Sequence, residues 1–317
     1  MSNEGGPEAL RPLQRLVFRC AMDFLLDETS RLARRHDGDL VRATILLAIA
    51  QVARCRRGAE AGADGPPRAI SVKALSQSLG VPYETTRRKV MELETLGLCR
   101  RAGAAGVTAT PLALDGAAGR EDAEAAWLNL RRSIAGLGAL GFDLDQLDCG
   151  PAVLAAAPDD AAFRGRVEAL VGDFLLRLTE TAATIYGSRF DALLAVGMLT
   201  LNARPLIHDP ALAWRYAGAE TPPPDALRRP VTAVQLSERL GVAYEAVRRR
   251  ANRFVRIGWA ARVPGGYLFS MARQQAPEVL HSGLLASQRY LQLLRAVGRL
   301  AAESDPSRRS PRPGATG

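Results

Sequence analysis

The chain has little with which to build a reactive centre. Its four cysteines, Cys20, Cys55, Cys99 and Cys149, lie far apart and form no C-x-x-C, and its three histidines, His36, His208 and His281, stand alone. This pattern argues against a structural zinc site or a disulfide framework and fits a reducing compartment. A phosphate-cradling G-x-x-x-x-G-K-[ST], a nucleophile elbow G-x-S-x-G and a zinc-binding H-E-x-x-H are all missing. No catalysis, no cofactor and no metal are expected. The N-terminal stretch MSNEGGPEALRP lacks the basic and apolar regions of a secretory signal. The most apolar run, LVRATILLAIAQVA from Leu40, is too short for a membrane span and carries an Arg, so it reads as a buried helix. A cytoplasmic protein with no membrane partner is the expectation.

Aromatic residues make up only 5% of the chain, whereas the apolar fraction is 47% and Ala, Arg and Gly are plentiful, a composition suited to helices built around Leu, Val and Ala. The 317 residues suffice for two ordinary domains, each with its own core. What the sequence has in excess is positive charge. Its 42 Lys+Arg against 33 Asp+Glu give +9, with an isoelectric point near 10.0, which suits a polyanionic partner.

The chain also repeats itself. At an offset of 150, DFLLDETSRLARRH from Asp23 lies over DFLLRLTETAATIY from Asp173, with Val17, Phe24 and Leu25 facing Val167, Phe174 and Leu175 on one apolar helical stripe. At an offset of 161, ALSQSLGVPYETTRRKVMELETLGL from Ala74 lies over QLSERLGVAYEAVRRRANRFVRIGW from Gln235. A weaker match at 163 sets AWLNLRRSIAGL from Ala126 over RYLQLLRAVGRL from Arg289. About eleven extra residues therefore fall between Ala203 and Thr232, in a Pro-rich stretch that reads as a loop. The expected organisation is a disordered N-terminus over 1–15, a first helical unit over 16–141, a linker over 142–163, a second unit over 164–304 and a disordered basic tail over 305–317.

Each copy of the best-matched segment has the punctuation of two short helices. Ser71 is an N-cap for VKALSQSL, Gly80 stops that helix, and Val81 fills the angle before a second helix that starts near Pro82 and ends at Gly97. Thr86, Val90, Leu93 and Leu96 make the inner stripe of the second helix, as do Val247, Ala251, Phe254 and Ile257 in the other copy. Tyr83, Glu84, Thr85, Arg87, Arg88 and Lys89 then face outward or flank, matched by Tyr244, Glu245, Arg248, Arg249, Arg250 and Arg253. A strand-turn-strand signal follows each time, LCRRAGAAGVTAT from Leu98 and WAARVPGGYLFS from Trp259.

Helix, turn, helix and hairpin in this order resemble the winged helix-turn-helix domain. Over about forty residues in each half, the segments are similar to the DNA-reading parts of bacterial transcription regulators of the GntR, IclR and MarR type. The resemblance implies a mainly α fold with small β-hairpin wings, arranged as two tandem units related by internal duplication. It implies a second helix in the major groove, a preceding helix on the phosphate backbone and a wing over an adjacent groove. Candidate DNA-binding residues are Ser71, Tyr83, Glu84, Thr85, Arg87, Arg88, Lys89 and Arg101 in the first copy, and Thr232, Tyr244, Glu245, Arg248, Arg249, Arg250, Arg253 and Arg262 in the second. Arginine pairs bidentately with guanine or clamps phosphates. Glu84 and Glu245 suit either a cytosine amino group or the positive end of the helix dipole. The wing tips GAAG and PGG carry no Arg or Lys, a departure that weakens the case for minor-groove reading.

The function expected is a sequence-specific regulator of transcription, located at the nucleoid, that reads an asymmetric bipartite duplex site, with the second copy binding more strongly. Two alternatives stand beside it: a plasmid-type replication initiator with tandem winged helices, and a nucleoid or complex-assembly protein that uses winged helices for protein docking. A small-molecule effector and a homodimer formed through the helices around Trp127 and Tyr290 are both left open.

Overall fold

A computed structural model describes residues 11–59, 68–155, 157 and 160–304. The protein is mainly helical, with two small antiparallel two-stranded sheets. Two long helices, α1 (Gln14–Arg35) and α2 (Leu40–Ala59), lead into two short ones, α3 (Val72–Leu79) and α4 (Tyr83–Thr95). Strands β1 (Cys99–Arg101) and β2 (Val107–Ala109), a single turn α5 (Pro111–Leu114) and the long α6 (Ala117–Ala139) follow. After the short α7 (Pro151–Ala155) the same order returns: α8 (Ala161–Tyr186), α9 (Arg189–Ile207), then, past the additional α10 (Pro210–Arg215), α11 (Ala233–Leu240), α12 (Tyr244–Arg256), β3 (Ala260–Val263), β4 (Gly266–Phe269), α13 (Met271–Gln274) and α14 (Pro277–Ser304).

Local chemistry accounts for the short elements. Ser71 and Thr232 cap α3 and α11, accepting from the amides of Ala74 and Gln235. Gly80 and Gly241 end those helices at φ of 64° and 65°, a left-handed conformation that an L side chain resists. Gly106 and Gly266, at φ of 110° and 140°, start the returning strands, and a Cβ at either would strike the carbonyl of Ile70 or Val231. Those two residues bridge to Val107 and Tyr267, so the chain entering each pair of short helices leans on the hairpin that leaves it.

The two halves do not keep separate cores. One continuous core joins α1 and α6 to α8, α9, α14, α11, α12 and the second hairpin, while a smaller one joins α2 to α3, α4 and the first hairpin. Trp127 of α6 packs edge-on against Phe163 of α8, and Tyr290 of α14 meets Phe24 of α1 and Phe174 of α8. The Tyr290 hydroxyl lies 2.5 Å from Ser133 Oγ on α6. Both closing helices thus bury their aromatic rings inside the chain, with Trp127 5% and Tyr290 0% exposed.

Three expected loops turn out differently. Residues 11–15, read as disordered, form a 3₁₀ turn and the start of α1, and Gln14 is buried where its amide donates to the Leu280 carbonyl. Within the expected linker, Leu144, Leu147 and Cys149 are buried, and Gly298 has no side chain to block the Asp148 carbonyl from lying against α14. The Pro-rich insertion carries α10 and caps α1: the Ala217 carbonyl accepts from the amides of Arg15 and Leu16 at 2.7 and 3.2 Å. The rest of the expected N-terminal disorder, residues 1–10, and the tail over 305–317 lie outside the described residues. By length and composition α9 is apolar enough to cross a membrane, but 67% of its most apolar window is buried inside the protein, as befits a core helix.

Candidate nucleic-acid interface

The candidate surface is the outer face of α4 and of α12, and its charges sort into three kinds at matching positions. Arg87 and Arg248 are each bound to the glutamate one turn earlier, Arg87 to Glu84 and Arg248 to Glu245, both at 2.9 Å. Glu84 and Glu245 therefore serve first as local partners in the opening turn of their helices. The Arg248 guanidinium holds Glu245 below the usual carboxylate range.

Lys89 and Arg250 point the other way, and neither is a free cation. Lys89 donates to Asp39 at 2.6 Å, just ahead of α2, and to Glu92 at 2.8 Å. Arg250 donates to Asp191 at 2.8 Å, in the first turn of α9, and covers the Phe190 ring at 4.4 Å. Arg253 reaches the second oxygen of Asp191 at 3.1 Å. These three cations, expected on the DNA-facing side, fasten the short helix to the long helix behind it. Arg101 is likewise paired with Glu94 at 2.7 Å, and Arg262 donates to the Tyr267 hydroxyl at 2.7 Å while lying over its ring.

What remains outward is Arg88 in α4 and Arg249 in α12, both exposed and without an ion-pair partner among the described residues. They occupy the same position of the repeat, as do the exposed Tyr83 and Tyr244, 49% and 43% accessible. Arg100 and Arg256 are also exposed and have no ion-pair partner among the described residues, at the edges of the two faces. Thr85 is half-buried, and the Ser71 and Thr232 hydroxyls are engaged as caps. The buried stripes are Thr86, Val90 and Leu93 in α4, and Val247, Ala251 and Phe254 in α12. Leu96 and Ile257, expected to close them, are 52% and 44% exposed, because each helix has already ended and its chain turns at the next residue, Gly97 or Gly258.

The sequence reading missed the groups that hold these faces in place. Asp191 is one, and its signal was legible: Ser188 caps α9, accepting from the Asp191 amide, and its hydroxyl donates to the Asp191 carboxylate. Asn202 is another, fully buried on α9, donating to the carbonyls of Arg229 and Tyr267 and accepting from the Phe269 amide. It ties the second hairpin to α9. A third is Arg189, which reaches from α9 to the carbonyls of Ser78 and Leu79 at the end of α3. In the converse contact, Arg239 of α11 is paired with Asp23 and Asp27 of α1. Each pair of short helices thus rests partly on the other half of the chain. No family model, curated protein or solved structure matches this chain.

Proposed function

We propose that the chain is a sequence-specific double-stranded DNA-binding regulator of transcription, built as two tandem winged helix-turn-helix units that arose by internal duplication. The observation that carries this reading is the coincidence of Arg88 with Arg249 and of Tyr83 with Tyr244. At matching positions of both second helices a guanidinium unpaired among the described residues and an exposed tyrosine project from a helix fastened behind by Lys89 or Arg250. A face held rigid from behind and left charged in front suits a docking element whose register on a duplex must be fixed. Arg87 and Arg248 form a reserve, since a phosphate or guanine displaces an exposed i, i+3 glutamate at little cost.

The two faces are not alike. Thr85 stands where Ala246 stands, and Glu92 where Arg253 stands, so the two half-sites differ in sequence and the site is asymmetric. Selection of bound duplexes from a random pool at fixed salt, run with wild type, Arg88→Ala and Arg249→Ala, tests the reading. A bipartite motif whose halves are lost one at a time supports it, and the motif's genomic position separates promoter control from origin binding. If no motif emerges and both variants bind like wild type, the surfaces of α4 and α12 are protein-docking faces and the regulator reading fails.

A further inference from the structure

A cavity of about 70 Å³ lies between the start of α1, the later turns of α9 and the start of α14. Phe18, Met22, Leu199 and Leu206 give it apolar walls. Two of its lining residues are more than nine-tenths buried and carry a polar atom with no partner among the described residues: Arg19 Nη1 and Thr200 Oγ1. Both exceptions call for an acceptor that the chain does not supply.

The rest of the polar lining is already engaged. Arg19 Nε donates to the Arg15 carbonyl at 3.0 Å and its Nη2 to the Tyr216 carbonyl, which aims the head and leaves one nitrogen over. Arg15 donates to the Ala219 carbonyl, Gln14 to the Leu280 carbonyl, and Arg228 to Asp225. Thr200 is unusual among the helical threonines of this chain. Thr29, Thr44 and Thr179 each return the hydroxyl to the carbonyl four residues back, whereas Thr200 does not. Arg19 has no carboxylate partner among the described residues, its charged neighbour is Arg15, which itself has Glu220 nearby, and burial pushes the Arg19 guanidinium down to about 10. The cavity is a desolvated positive site next to an apolar wall.

We infer that this cavity binds a small aliphatic monocarboxylate, its oxygens accepting from Arg19 Nη1 and Thr200 Oγ1 and its carbon chain lying against Phe18, Met22, Leu199 and Leu206. Two unmet donors match the two oxygens of a carboxylate, whereas a phosphate would bring more acceptors than the site can answer. The volume decides the length. At about 10–15 Å³ per water-sized group, it holds roughly five to seven of them, enough for the six heavy atoms of a carboxylate with a three-carbon tail. The proposal stands apart from the DNA-binding reading and is tested on the protein alone.

Calorimetric titration of the full-length chain with butyrate is the test, with 1-butanol as the neutral control and inorganic phosphate as the anion control. Saturable binding of butyrate at a single site is expected, with both controls weaker by about tenfold or more. Thr200→Val keeps the volume and removes a hydroxyl that supports nothing else in the protein, so it should fold normally and bind butyrate about tenfold more weakly. Arg19→Gln should abolish binding, but because Arg19 also supports two carbonyls, the Thr200 variant is the deciding one. No saturable butyrate binding, equal binding of butanol, or unchanged binding by Thr200→Val would each overturn the proposal and leave the cavity a water site.

Discussion

Phe24 and Phe174 hold the same position in the two halves of the sequence, and their rings touch, with centroids 5.9 Å apart. The surrounding contacts pair in the same way: α14 packs on α1 and α6 packs on α8. Truncating either ring, Phe24→Ala or Phe174→Ala, should cost about 3–5 kcal/mol. The double variant should lose less than the sum, because the two share one contact. Urea unfolding midpoints measure all three.

Arg88→Ala and Arg249→Ala should each weaken duplex binding by about tenfold and lower the slope of log affinity against log salt by about one. Neither should change stability by more than about 0.5 kcal/mol, since both side chains are exposed and have no ion-pair partner among the described residues. Fluorescence anisotropy across a salt series reads the first effect and urea unfolding the second.

Asp191→Ala should behave in the opposite way. It removes the shared partner of Arg250 and Arg253 and an acceptor for Ser188, costing about 1–3 kcal/mol after allowance for the partial exposure of both arginines. Hydrogen exchange should rise in α12 while α4 stays as protected as in wild type.

Replacing Asn202 by Leu strands the buried Phe269 amide and takes one donor each from the Tyr267 and Arg229 carbonyls, a loss of about 1–3 kcal/mol. Amide exchange of β4, read beside the midpoint, should show the second hairpin loosened from α9.

Acid should weaken the fold through His36. Burial, with Arg42 and Arg35 nearby, lowers this imidazole to about 4 from an ordinary value of 6.5. The unfolded chain therefore binds a proton that the folded one refuses between those values, and stability falls as pH drops from about 6.5 to about 4. His36→Gln should flatten that part of the pH profile of the urea midpoint.

Much of the fold was legible because it rests on local rules. The span of α3, its Ser71 cap and the Gly80 stop follow from neighbouring residues, as do the stripes through Val90 and Phe254 and the turns of the two hairpins. The candidate site was legible only as a set of basic positions. Whether a flanking cation turns out or in depends on a carboxylate some fifty to sixty residues away, Asp39 for Lys89 and Asp191 for Arg250, and no local pattern carries that information. The shared core was hidden for the same reason. Each apolar stripe announces that it will be buried without saying by which helix.

The contact between α1 and α14 also sets a schedule for synthesis. Gln14 bonds the Leu280 carbonyl and receives the Ser287 hydroxyl, partners 266 and 273 residues further along the chain. At about 5–20 residues per second, α1 leaves the ribosome roughly 15–50 s before α14 exists. For that interval α1 can meet α6, α8 and α9 but not α14, so the side of it that Tyr290 and Leu280 later cover stays open to any chaperone waiting at the exit tunnel.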